Sequence, residues 1–190
     1  MKIIALFVLL SFIGIINAET SEECPLSPVI GNFDVTKYVG QWYEIEKFTS
    51  GFERNLICIN AIYTPINESF IQVQNFGFDP VKNETSSIKG YAFVPNQEKP
   101  NHLIVVFKIK MGDLLVERPG KYDVWATDYE TYSLVYSCRK DESTNKKVEN
   151  AFILSRNKTL DSINLANLKK MLSSNGFDVS KLIIAQQDCE

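Results

Sequence analysis

Four cysteines and one histidine are the side chains best suited to form covalent links, hold a metal or attack a substrate: Cys24, Cys58, Cys138, Cys189 and His102. No two cysteines stand as C-x-x-C, and zinc sites are built from closely spaced Cys and His, so no metal centre is expected. In an oxidising compartment an even number of cysteines reads as two disulfides, with three pairings open. Pairing all four would also leave no thiol nucleophile. His102 has no Ser or Cys near it in sequence, and acid/base work by Asp123 or Glu44 in a cavity has no second residue to support it. The reading is therefore a protein that is not an enzyme, with no catalytic residue assigned.

The compartment is set by the first residues. Lys2 precedes an apolar run from Ile3 to Leu10 that continues through Phe12 to Ile16 and ends in Ile16-Asn17-Ala18. A basic start, a short apolar stretch and a small-residue end describe a secretory signal peptide, here residues 1–18, with one domain over 19–190. The run is shorter than the roughly 18–20 residues needed to span a bilayer, so no membrane span is expected. The protein is thus expected to be secreted and extracellular. A net charge of −3 without a basic cluster offers no footprint for nucleic acid. Three Asn-x-Ser/Thr triplets, at Asn67, Asn83 and Asn157, are candidate glycosylation sites, and the first two fall in expected turns.

The elements that position these groups are short and β-like. Turn residues divide the chain into expected strands at 41–48, 57–65, 69–78, 87–95, 102–110, 121–127, 132–139 and 150–156. From Leu160 to Asn175 the period changes, with Leu165, Leu168 and Leu172 at helical spacing and Gly176 just beyond. A last strand is expected at 181–185. Together these predict an all-β chain: an eight-stranded antiparallel up-and-down β-barrel with one C-terminal α-helix packed outside.

Strand alternation then sorts faces. Ile57, Ile59, Ala61 and Tyr63 share one face, opposite Cys58 and Asn60. Ile71, Val73 and Asn75 share another, as do Leu103, Val105, Phe107 and Ile109. These apolar faces should line the barrel, leaving Cys58 pointing outward. A barrel of eight strands is either filled by side chains or holds one small molecule. The Tyr63 hydroxyl and Asn75 amide on greasy faces suit the second case, although mutual pairing in a filled core would also satisfy them.

Three segments carry a resemblance. They are Asn32–Lys47, with Gly40-Gln41-Trp42-Tyr43 at its centre; Ala126–Cys138, with Thr127-Asp128-Tyr129; and Phe152–Arg156. In order and spacing they are similar to the three signature regions of the lipocalins, of the apolipoprotein D type. The resemblance implies the pairs Cys24–Cys138 and Cys58–Cys189. It also implies that Trp42 closes one end of the barrel with Arg156 packed over its ring, a structural pairing. It places Tyr63, Asn75, Phe107 and Phe152 where relatives contact ligand. Trp125 and Tyr122 lie on opposite faces of one strand; Trp125 is favoured for the interior, with packing beneath the helix as the alternative. Residues 111–119 differ from the relatives and are expected at the mouth.

The function implied is a monomeric carrier that reversibly binds a small hydrophobic ligand: a fatty acid, sterol, retinoid, pheromone-like lipid or bilin. No cofactor is expected; a bound lipid or bilin would be cargo. The alternative is a barrel whose main role is binding a protein partner such as a cell-surface receptor.

Overall fold

Short amphipathic strands can hide their apolar faces only by turning them toward one another, and a closed antiparallel sheet does so without leaving long edges. The computed structural model describes residues 23–48, 53, 55–67 and 69–189; the expected signal segment lies outside them. Eight strands follow in chain order: β1 (Gly40–Phe48), β2 (Ile57–Pro65), β3 (Phe70–Asp79), β4 (Glu84–Phe93), β5 (His102–Met111), β6 (Leu114–Thr127), β7 (Tyr132–Lys140) and β8 (Lys147–Ser155). Each pairs antiparallel with the next, and β1 pairs with both β2 and β8, so the sheet closes into a barrel.

The expected strand starts need correction at three places. β4, β6 and β8 begin at Glu84, Leu114 and Lys147, several residues earlier than alternation suggested. The largest difference has a clear cause. The β5–β6 ladder runs without interruption to Met111↔Leu114 across the turn at Gly112-Asp113, where Gly112 has φ +62°. Residues 111–119, expected as a loop, are therefore mostly strand in a long hairpin. A four-residue helix, α1 (Val35–Tyr38), has no counterpart in the periodicity; Asp34 caps it by accepting from the Thr36 N–H.

Two clusters share the burial. One fills the lower barrel with Tyr38, Trp42, Tyr63, Leu103 and Val124. The other lies outside the sheet, where α2 (Ser162–Ser174) sets Leu168 and Leu172 against Leu134, Tyr136, Ile153 and Phe177. Asp161 starts α2 by accepting from the N–H groups of Ile163 and Asn164. Lys169 adds an ion pair to Glu46 of β1, 2.7 Å away.

Beyond Tyr43↔Asn60 the β1–β2 pairing stops, and the tail fills the gap. β9 (Ile183–Ile184) pairs with β1 at Glu46 and Lys47. Ala185 N–H donates to Ile45 O, Cys58 N–H donates to Gln186 O, and the buried Gln187 amide donates to Glu44 O and Ile59 O. The Cys58–Cys189 bridge pins this plank to β2, while Cys24–Cys138 ties the N-terminal segment to β7. Both disulfides are the pairs the resemblance implied, and among the described residues no cysteine is free. Cys58 does point outward, but at φ +52° it forms a bulge that shifts the register between Ile57 and Asn60. Ile57 consequently drops out of the alternation that places Ile59, Ala61 and Tyr63 inward.

Candidate functional site

The inward faces enclose a cavity of about 590 Å³, within the range of small-molecule sites. Its walls carry Ile59, Ala61 and Tyr63 of β2, Ile71, Val73 and Asn75 of β3, and Leu103, Val105, Phe107 and Ile109 of β5. Strand period two therefore placed these faces correctly. Phe107 lies against Gly90 of the neighbouring strand: a Cβ there would sit 2.8 Å from the Phe107 ring and 2.3 Å from the Val106 carbonyl oxygen. Glycine is required at that point by space.

One end is sealed. Trp42 is wholly buried on the floor, and its indole N–H donates to Tyr38 O at 2.9 Å. The Arg156 guanidinium lies over the indole, 3.7 Å from the ring centroid, and donates to the carbonyls of Tyr129, Gln41 and Lys37. Gly40 adopts φ +97°, and a side chain on it would press on Arg156 Nη1 at 3.1 Å. The Gly-x-Trp spacing thus has two physical causes: a left-handed backbone and a slot for the guanidinium. At the opposite end, near the β5–β6 and β7–β8 turns, the lining includes exposed Arg118 and Arg139.

Of the expected contact residues, Tyr63, Asn75, Phe107 and Phe152 all border this cavity. Trp125 does not, and its expected inward orientation is corrected. It packs on Tyr136, ring centroids 4.4 Å apart, in the outer cluster with the helix, and its N–H donates to Ser27 Oγ. Tyr122 takes the interior place instead. Cross-strand partners share a face, and Tyr122 stands opposite inward-facing Leu103. Asp123, next along, faces out and accepts from Ser27 Oγ at 2.6 Å. His102 contacts Pro28 O through Nε2.

Polar groups sit at three places in the greasy cup. On the floor Tyr63, Tyr122, Tyr38 and Ser133 form a chain of hydroxyl contacts of 2.9, 3.0 and 2.7 Å. Burial raises all three phenol pKa values, Tyr38 to about 12, so these groups stay protonated. On the wall Asn75 Oδ1 is buried with no hydrogen-bond donor among the described residues. Higher up, Lys47 Nζ lies 2.8 Å from Glu44 and 3.1 Å from Glu53, all three side chains buried. Two carboxylates share one ammonium. Burial and the Glu53 charge push the Glu44 carboxyl up to about 8 against the pull of Lys47.

Sequence singled out Tyr63, Asn75 and Glu44 one at a time and set Tyr122 against Trp125, but it did not show the groups they join. Glu44 is two residues from Trp42 on the same strand face, a signal that alternation contains. The contacts to Tyr38 and Ser133 depend on α1 and on the register of β7, which the sequence pattern does not specify. The candidate glycan acceptors Asn67, Asn83 and Asn157 are all exposed.

The architecture and residues agree with one family. The family described as a lipocalin-like domain matches residues 33–187. This chain belongs to the lipocalin family. The mouse (Mus musculus) apolipoprotein D is 39% identical over 165 residues, which cover 87% of this lipocalin and 82% of the relative. The Lazarillo protein of Schistocerca americana is 26% identical, with 92% and 79% of the two chains covered. The solved structure of insecticyanin from the tobacco hornworm Manduca sexta superposes with a TM-score of 0.74 at 25% identity, covering 86% of each chain. Among the described residues of this lipocalin, no helix is long and apolar enough to cross a membrane.

Proposed function

We propose that this lipocalin is a secreted carrier that reversibly binds a small hydrophobic ligand in the barrel. The observation that carries this reading is the cavity of about 590 Å³, sealed by Trp42 at one end and lined mainly by apolar side chains. Burying about 350 Å² of apolar ligand surface gives a gross gain near 9 kcal/mol at 25 cal/mol/Å². After ordering costs, affinity in the micromolar to submicromolar range is expected, about −8 to −9 kcal/mol. Secretion is supported by the signal-like residues 1–18 and by the two disulfides. A binding role rather than catalysis fits a chain whose four cysteines are all bridged. The deciding experiment is native mass spectrometry of protein purified from its source, followed by extraction of its cargo. A co-purifying lipophile supports the carrier reading; no cargo and no saturable binding of any hydrophobic probe would overturn it.

A further inference from the structure

The hydroxyl chain on the cavity floor contains one proton more than it can use. Four hydroxyls, on Tyr63, Tyr122, Tyr38 and Ser133, offer four donors, yet only three contacts join them in a line. One donor must therefore point elsewhere.

Its position follows from the two ends of the line. Ser133 is wholly buried, and among the described residues its oxygen has Tyr38 as its one side-chain hydrogen-bond partner. An unused donor there would carry the full cost of a buried unsatisfied group. Ser133 therefore donates to Tyr38, and Tyr38, its oxygen accepting, donates onward to Tyr122. The Tyr63–Tyr122 contact uses one further proton. The fourth belongs to Tyr63 or Tyr122, and both border the cavity. Ring packing fixes where the two oxygens sit: Tyr38 and Tyr63 stack at 5.8 Å, and Tyr63 meets Tyr122 edge-on at 6.2 Å.

We infer that the floor is a hydrogen-bond donor site for a neutral acceptor oxygen, and that the ligand enters carbonyl-first. The class is an uncharged lipophile with a ketone, aldehyde or ester oxygen at its leading end and an apolar body toward the mouth. A carboxylate suits the floor poorly, because the Arg156 guanidinium at that end lies behind the Trp42 ring and is spent on three backbone carbonyls. The inference rests on the carrier reading and adds the ligand's chemistry and orientation to it.

The test uses the mature full-length protein with a thirteen-carbon methyl ketone and the alkane of the same length, each competing with an environment-sensitive probe. The ketone should bind about five- to tenfold more tightly, the ratio one net hydrogen bond supplies. In the double variant Tyr63→Phe/Tyr122→Phe the ketone-to-alkane ratio, taken within the same protein, should fall at least about fivefold, because the buried carbonyl then has no donor. The second readout needs no variant. The infrared carbonyl band of isotope-labelled ketone bound to the wild type should move to lower wavenumber than in hexane. Equal binding of ketone and alkane, or an unshifted band, would overturn this inference and leave the carrier reading standing. Failure of both compounds, with every other hydrophobic probe, would remove the carrier reading itself.

Discussion

Arg156 sits 3.7 Å above the Trp42 ring and at the same time holds three backbone carbonyls, those of Tyr129, Gln41 and Lys37. One side chain thus ties α1, the start of β1 and the β6–β7 turn to the end of β8. A lysine would retain the charge without the planar fork. Arg156→Lys should lower unfolding free energy by about 2–4 kcal/mol, the loss of charged hydrogen bonds and of a cation–π contact. Urea titration followed by circular dichroism measures it; a loss under about 0.5 kcal/mol would contradict this role for the guanidinium.

Ligand binding should be visible through one tryptophan. Trp42 borders the cavity, whereas Trp125 lies in the outer cluster. Titration with a quenching lipophile should therefore behave the same in Trp125→Phe as in wild type, in fractional change of the Trp42 signal. Quenching that disappears with Trp125 would show the ligand to bind outside the barrel.

Gly90 faces the Phe107 ring and the Val106 carbonyl, with no room for a Cβ. Gly90→Ala should destabilise by more than about 2 kcal/mol, because backbone on β5 has to move. The thermal midpoint reports this directly, and an unchanged midpoint would mean that the strands separate there at little cost.

Acid–base behaviour should carry the mark of Glu44. Its carboxyl is pushed up to about 8 in the fold from an ordinary 4.5. The folded protein thus holds this proton more tightly than the unfolded chain does. The contribution to stability is complete below about 4.5 and is lost as pH rises through about 8. Glu44→Gln, neutral throughout, should flatten that decline. The measurement is the difference between the two unfolding free-energy profiles across this window; parallel profiles would rule out the buried proton.

Removing the tail's anchor should be costly. Cys189→Ser opens a loop of 131 residues, and the chain-entropy model assigns such a closure about 4–5 kcal/mol. Unfolding under non-reducing conditions compares the two proteins. Equal stability would mean that hydrogen bonds of residues 185–187 hold the tail unaided.

Much of the barrel was legible because a strand has the simplest possible face rule. Ile71, Val73 and Asn75, and the four residues from Leu103 to Ile109, follow alternation without a break. The rule fails where the backbone inserts a bulge. At Cys58 it moved Ile57 out of line, and alternation could say only that Trp125 and Tyr122 part, leaving the choice between them to the β5–β6 register. Residues 111–119 were misread because a glycine turn looks the same in sequence whether a long hairpin or a loop follows. The phenol chain was invisible for another reason. Its members come from α1, β2, β6 and β7, four segments that only the closed fold brings together.

The wall between β1 and β2 is completed by residues 183–187 and locked at Cys189. Residues 156–182 separate the end of β8 from this plank, so all eight barrel strands precede in the chain the segment that closes the seam. The seam's last fastening is consequently covalent: the Cys58–Cys189 bridge links the second strand of the vessel to a plank that comes after the eighth.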